Sequence, residues 1–384
     1  MNNNNKNILI CTGIFPPDSG GPANYSKLLL KELPGKGCDV KVVTYADDLS
    51  QVDNVFKINR KQNILVRYFH YFQVVNKNID WADVVYIQGL ISEGLPSFIA
   101  CKLRRKKYTL KIVGDYAWEQ GKQRFGVSEN LDDFQDKKCG IKVELMRKLQ
   151  RMVVRNAEMI ITPSQYLKNI IKKWGIADEK INVIYNAVSL QKNLKNKKDV
   201  KKSLNINKDI ILSVSRLVPW KGFETLIEII PELLKVNPNF KLLIGGEGPD
   251  FDMLAGKIKE LKLENNIELL GRVEQKLLFD YMAGSEMFVL NTSYEGLSHL
   301  IIEAMNLKLP VVTTRVGGNA ELIQDNKSGI LVEYNNKKEL IEVILKIWQD
   351  KEATNSFVEN AKQDVEKLFN KEIMIEKLVE LFKV

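Results

Sequence analysis

Two short stretches of the sequence combine residue types suited to gripping a phosphate anion. The first is Ser213-Val-Ser-Arg216-Leu-Val-Pro-Trp-Lys221-Gly222. It sets a guanidinium and an ammonium five positions apart, on a loop stiffened by Pro219 and closed by Gly222. Arginine offers phosphate oxygens a planar fork of donors, and lysine a mobile point charge. The second is Tyr294-Glu295-Gly296-Leu297-Ser298-His299-Leu300-Ile301-Ile302-Glu303. Read as a turn at 293–296 that opens a helix, it points unpartnered amides and the positive end of the helix dipole at whatever lies before it. Gly296 lets a ligand come close to the backbone. Glu295 and Glu303, eight residues apart on such a helix, stand roughly 12 Å from each other at about 1.5 Å per residue. Carboxylates so separated cannot share a proton, but they can hold two ends of one elongated ligand.

Glycine-rich turns elsewhere repeat this strand–loop–helix pattern. Gly13-Ile-Phe-Pro-Pro-Asp18-Ser-Gly20-Gly21-Pro22 follows the first apolar run and exposes amides to an anion. It is neither G-x-G-x-x-G nor the P-loop G-x-x-x-x-G-K-[ST]. Gly245-Gly246-Glu-Gly248-Pro249, Gly271-Arg272-Val273 and Gly317-Gly318-Asn-Ala-Glu321 each end a strand; taken alone, each is an ordinary turn. In Val113-Gly114-Asp115-Tyr-Ala-Trp118-Glu119, Asp115 and Trp118 read two ways. They are a polar group and a flat platform for a sugar or acceptor, or a helix cap followed by a core tryptophan.

These loops need elements to position them. The sequence alternates short apolar runs with amphipathic helical patterns, the signature of parallel sheets covered on both faces. In the first half strands are expected at Asn7–Thr12, Val40–Tyr45, Val84–Gln88, Thr109–Val113, Met159–Thr162 and Asn182–Tyr185, with helices such as Asn24–Leu33 and Lys142–Arg155 between them. The second half restarts with Ile210–Val214, Lys241–Gly245, Ile267–Leu270, Met287–Leu290, Pro310–Thr314 and Gly329–Val332. Residues 1–190 and 209–365 thus read as two doubly wound domains facing each other across a cleft. A lysine-rich linker, 191–208, separates them. In such sheets ligands bind beyond the carboxyl ends of the strands, where the unusual residues lie.

Composition narrows the classes. With 384 residues and 45% hydrophobic side chains, the chain can fill two cores. MNNNNK is no targeting signal, and no apolar run is long enough to span a bilayer, so a cytoplasmic protein is expected. Four scattered cysteines and two histidines fit neither a disulfide framework nor ordinary zinc spacing, so no metal site is expected. The net charge of +9 concentrates in Lys102-Leu-Arg104-Arg105-Lys106-Lys107 and in Lys192–Lys202. Such runs are solvated surface, or they attract anionic lipid headgroups and give a peripheral membrane contact. No nucleic-acid-binding motif accompanies them, and nucleic acid is not expected as a partner.

Arg-x4-Lys-Gly, Gly246-Glu-Gly-Pro249, Leu270-Gly-Arg-Val273, Glu-x7-Glu, the Gly20-Gly21 loop and the turn ending at Glu321 occur in order along nearly the whole chain. Together they resemble retaining glycosyltransferase family 4, whose members have the GT-B fold. The resemblance implies a nucleotide-sugar donor, with a UDP-hexose first and GDP-mannose next, and a glycan or lipid-linked acceptor in cell-surface polysaccharide or glycolipid synthesis. No cofactor is implied. Arg216 and Lys221 would hold the donor diphosphate, and Glu295 the hydroxyls of the transferred sugar. The backbone from Gly296 through Leu297 and Ser298 to the amides near His299 and Leu300 would meet the phosphates. Glu303 would bind the ribose and the main chain at Val273 the base, near the Gly246 turn. Gly20 and Gly21 would approach from the first domain, onto which a C-terminal helix, 366–384, would pack back. Many relatives carry a histidine near the reacting carbon in the first domain. Here His70 is the only histidine in that half and falls in a helical pattern, which leaves Asp115 as the acceptor-side candidate.

Breaking the anomeric carbon–phosphate bond leaves negative charge on the diphosphate, and preorganised cations and amides would stabilise it. Arg216, Lys221 and the helix start could then replace a divalent metal, and two domains could close to exclude water. Rival readings are a nucleotide-sugar epimerase of the same fold, a silent nucleotide-sugar-binding protein and a Rossmann oxidoreductase. The last lacks its glycine fingerprint.

Overall fold

The computed structural model describes residues 5–18, 20–188, 190 and 195–383. The chain divides into two compact units. One runs to Tyr185 and resumes at Glu372; the other is Asn186–Lys371.

The first unit is built on a parallel sheet of β1 (Lys6–Cys11), β2 (Cys38–Ala46), β3 (Val55–Asn59), β4 (Val84–Ile87), β5 (Tyr108–Lys111), β6 (Met159–Thr162) and β7 (Ile181–Val183). Its order is β3-β2-β1-β4-β5-β6-β7. Central strands such as β1 are near-continuous apolar runs because helices cover both faces, and Ile8, Leu9, Ile10 and Cys11 are fully buried. The sequence reading missed β3. In that edge strand only Ile58 is buried, and Lys57 interrupts the apolar pattern, so neither periodicity nor hydrophobicity marks it. The run expected at Thr109–Val113 is strand from Tyr108 to Lys111, and the Ile112 amide makes its last bond to the neighbouring strand, to the Ile161 carbonyl at 2.9 Å.

The second unit has β8 (Asp209–Val214), β9 (Phe240–Gly245), β10 (Ile267–Gly271), β11 (Met287–Leu290), β12 (Val311–Thr314) and β13 (Ile330–Val332), in the order β10-β9-β8-β11-β12-β13. All its strand pairs are parallel. The helix Phe223–Val236 buries Phe223, Leu226, Ile227, Ile230 and Leu233 against this sheet and anchors its core. In each unit the strand order reverses beside the first strand, between β1 and β4 and between β8 and β11. A doubly wound sheet opens its ligand crevice at that reversal.

The lysine-rich stretch read as a linker begins outside the described residues, at 191–194. Its later part forms the helix Lys197–Ser203, capped by the Asn196 side chain and pinned by buried Val200. The last helix, Lys371–Lys383, buries Met374, Ile375, Leu378 and Phe382. Phe382 meets Tyr86 of β4 edge to face, with ring centroids 5.2 Å apart. All four cysteines are free. Among the described residues no helix is long and apolar enough to cross a membrane, and no cluster of three acidic, histidine or cysteine side chains could hold a metal.

Candidate active site

Lys221 and Glu295 come from the two loops that flank the reversal in the second sheet. Lys221 ends the turn Pro219–Lys221 after β8, and Glu295 follows β11. The structure joins them: the Lys221 ammonium pairs with Glu295 Oε1 and donates to the Tyr294 carbonyl at 3.2 Å. Their side chains are only 9% and 19% exposed. Arg216, on the same loop as Lys221, is exposed and forms no ion pair with any described residue.

A buried polar frame fixes this geometry. Asn291, fully buried at the end of β11, donates through Nδ2 to the Gly222 carbonyl (3.0 Å) and to Asn335 Oδ1 (2.8 Å). The Asn335 amide returns a bond to Asn291 Oδ1 at 3.0 Å, and Thr225 Oγ1 donates to Asn335 Oδ1 at 2.8 Å. Gly222 has φ +54°, and a Cβ there would lie 2.4 Å from Asn291 Nδ2, so only glycine fits. Thr292 Oγ1 bridges the loops by donating within reach of the Trp220 (3.1 Å) and Tyr294 (2.9 Å) carbonyls. No spacing rule exposes Asn291, Thr292 or Asn335 in the sequence, because buried amides and hydroxyls form no periodic pattern. The only hint was their place just after strands.

The glycine turns singled out in the sequence act here as loop-to-loop contacts. A Cβ on Gly246 would sit 1.9 Å from the Ser215 carbonyl, and one on Gly248 2.1 Å from that of Leu217. The Gly246 turn therefore packs directly under the Arg216 loop, and the Leu217 amide donates to the Glu247 carbonyl at 3.0 Å. Gly317 and Gly318 stand in the same relation to the Glu295 and Gly296 carbonyls, at 2.1 and 2.2 Å, and the Gly318 amide donates to the Glu295 carbonyl at 2.9 Å.

The helix after Glu295 begins later than its sequence suggests. It spans His299–Asn306, with Ser298 as its cap: Ser298 Oγ accepts from the Ile301 amide at 3.4 Å. One early amide is thus already used, and Gly296, Leu297 and Ser298 are buried loop residues ahead of the helix. His299 and Leu300, half-buried, form its first turn. Glu295 is not on the helix, so the separation of about two turns from Glu303 does not apply; Glu303 sits just over one turn in. Burial pushes the Glu303 carboxyl up to about 7, against a lowering bond from the Gln275 side chain. Gln275 begins the helix Gln275–Gly284, and the sequence reading did not single it out. Val273 is half-buried after Gly271, whose φ is +61°.

In the first unit the reversal point carries different chemistry. Gly20, at φ +136°, is the exposed residue before the helix Gly21–Glu32, which Gly21 opens. Asp18 in that loop pairs with Arg60, which also reaches Asp47 at 3.1 Å. Beneath the loop lies Glu93, a buried residue the sequence reading passed over. Its carboxylate accepts the Gly13 amide, and burial raises it to about 7. A Cβ on Gly89 would fall 1.9 Å from Glu93 Oε1, and one on Gly13 3.1 Å from Oε2, so two glycines make room for this carboxyl. Tyrosines surround it: Tyr45 donates to the Ser92 carbonyl at 2.8 Å, and Tyr68 and Tyr116 bond the Ser92 side chain.

Asp115 does not stand open to an acceptor, contrary to its expectation as the acceptor-side candidate. It is 1% exposed and caps the helix Tyr116–Arg124 by accepting from the Trp118 amide at 3.1 Å. Gln150 Nε2 (2.9 Å) and Gln135 Nε2 (3.0 Å) satisfy both of its oxygens. Trp118 is fully buried and offers no platform. The cap reading of this motif holds. His70 lies in the helix Ile64–Asn78, with Nδ1 2.9 Å from Gln62 Oε1.

Comparison with known proteins identifies the family. The family described as Glycosyltransferase Family 4 matches residues 19–192, and Glycosyl transferases group 1 matches residues 194–364. The chain is a family 4-like glycosyltransferase of the GT-B fold. This glycosyltransferase is 26% identical over 298 residues to an uncharacterised glycosyltransferase of Methanocaldococcus jannaschii, covering 76% of this chain and 72% of that one. It is 31% identical to the Campylobacter jejuni N-acetylgalactosamine-N,N'-diacetylbacillosaminyl-diphospho-undecaprenol 4-alpha-N-acetylgalactosaminyltransferase, over 54% of this chain and 55% of that protein. Against this relative the alignment spans about half of either length. Among solved structures, HepE of Anabaena in complex with UDP-glucose superimposes with a TM-score of 0.80 at 19% identity, over 98% of this chain and 99% of that one. In this hexosyltransferase the charged residues Arg216, Lys221 and Glu295 lie on the loops at the strand-order reversal of the second unit.

Proposed function

We propose that this glycosyltransferase moves a hexose from a nucleoside diphosphate sugar to a glycan or lipid-linked acceptor, with retention at the anomeric carbon and without a metal. A UDP-hexose is the favoured donor and GDP-mannose the next. The observation that carries the reading is the pairing at the second reversal point: an exposed, unpaired Arg216 on the loop of a buried Lys221–Glu295 pair. Arg216 and Lys221 would take the diphosphate and stabilise the charge left on it as the glycosidic bond breaks. Glu295 would accept hydroxyls of the sugar, and Glu303 the ribose hydroxyls. The UDP-glucose complex of HepE and the lipid-linked acceptor in the Campylobacter relative's name support donor and acceptor class. Peripheral contact with anionic lipid belongs to the same reading. It is supported by Leu103, 67% exposed within the basic run Lys102–Lys107, and co-sedimentation with anionic against zwitterionic vesicles tests it.

The decisive experiment is a melting-temperature screen against UDP- and GDP-sugars, since a ligand of the folded state stabilises it by RT ln(1 + [L]/Kd). One sugar nucleotide should raise the melting point well above its rivals. If none shifts it at millimolar concentration, the proposal fails. Proton coupling at the anomeric carbon of the product then reads retention, and activity undiminished by EDTA reads metal independence.

A further inference from the structure

The Lys221–Glu295 pair is more than two ligand-binding residues side by side. Each is held from behind: Lys221 by the Gly222–Asn291–Asn335 frame, Glu295 by the Gly318 amide at its own carbonyl. Each satisfies the other's charge in a place where water satisfies little, their side chains being 9% and 19% exposed. A diphosphate drawing on Lys221 takes away the partner of Glu295. It also brings its own negative charge up to the carboxylate it has stranded. Leaving one member of a buried pair unpartnered costs more than the pair itself contributes. Only a ligand that also presents donors to Glu295 repairs that loss, and the hydroxyls of an attached sugar are such donors. Arg216 carries no such penalty, because it has no partner to abandon.

We infer that the Lys221–Glu295 ion pair is a selectivity interlock, in which Glu295 withholds Lys221 from a sugar-free nucleoside diphosphate and yields it to one that carries a sugar. The inference rests on the proposed nucleotide-sugar reading and adds to it a consequence for the product. Once the sugar has left, Glu295 reclaims Lys221 and the spent nucleotide is loosened.

Calorimetric titration of UDP and GDP into four proteins tests this: wild type, Glu295→Gln, Lys221→Ala and the double variant. Glutamine keeps the shape of Glu295 and removes its charge, leaving Lys221 its bond to the Tyr294 carbonyl, and circular dichroism checks that the variant is folded. The interlock predicts that Glu295→Gln binds the sugar-free nucleotide more tightly than wild type, by about tenfold, which corresponds to about 1.4 kcal/mol. In the Lys221→Ala background the same substitution should change affinity by no more than about twofold, because the partner it frees is gone. Equal tightening in both backgrounds would mean plain charge repulsion by Glu295 and would overturn the interlock. So would unchanged affinity in Glu295→Gln. If neither UDP nor GDP binds even Glu295→Gln at millimolar concentration, where nothing withholds Lys221, the nucleotide reading itself falls and takes the interlock with it. Binding that is merely unresponsive to Glu295→Gln sinks the interlock alone.

Discussion

The two units solve the same architectural problem with opposite chemistry. In each, a parallel sheet reverses its strand order beside its first strand. In the second unit that point holds full charges, Arg216 and the Lys221–Glu295 pair, locked by glycine turns pressed against carbonyls. In the first, beside the ion pairs of Arg60 with Asp18 and Asp47, it holds hydroxyls and one buried acid: Tyr45, Tyr68 and Tyr116 around Ser92, with Glu93 wedged between Gly13 and Gly89. Fold alone therefore does not decide what a reversal point binds. The residues after the strands do.

The comparison can be broken at its charged side first. Lys221→Ala should lower turnover by about 1000-fold, the scale of losing a preorganised donor to a transition-state anion, while thermal unfolding stays cooperative. A rate near wild type would remove the ammonium from the chemistry and erase the contrast between the units.

Next in size is the acid that each unit carries. Glu93 and Glu303 both have carboxyls raised from 4.5 to about 7 by burial. A raised acid binds its proton more tightly when folded. Its contribution is therefore complete below the unfolded value and is lost as pH climbs through the folded one. Each should cost its own unit up to about 3 kcal/mol between pH 4.5 and 7. Glu93→Gln should raise the melting temperature at pH 8 relative to wild type and leave the difference near zero at pH 4; Glu303→Gln should do the same. Parallel pH profiles for wild type and Glu93→Gln would show that the first unit's carboxyl titrates alike in the folded and unfolded chain and is therefore ionised at neutral pH. The two sides would then be less different than described.

Smallest, and confined to scaffold, is Asp115→Ala. Losing a buried cap that also receives Gln135 and Gln150 should cost about 2 kcal/mol in a urea titration, and Asp115→Asn should recover much of it. If Asp115→Asn instead abolished activity at full stability, Asp115 would return as an acceptor-side residue.

What could be read from sequence divides along the same physical line. β1 and β8 are continuous apolar runs, and burial on both faces leaves such runs no alternative. Arg216, Lys221 and Glu295 stood out because charges placed directly after strands have few structural uses. β3 was invisible because an edge strand with Lys57 in it needs little apolar surface. The true start of the helix at His299 was set by a Ser298 cap, not by the preceding glycine. Asp115 gave an ambiguous signal, since capping and catalysis favour the same residue, and only the burial of Trp118 separates them. Glu93, Asn291 and Asn335 gave none: their roles depend on neighbours distant in sequence, such as the absent side chains of Gly89 and Gly222.

The last helix, Lys371–Lys383, has a bearing on how the molecule is made. Its Phe382 closes over Tyr86, yet more than 180 residues of the other unit are translated between them. The first unit thus draws part of its interior from a segment that follows the whole of the second in the chain. Its sheet and the helix that closes over Tyr86 are brought together by the fold, not by nearness in sequence.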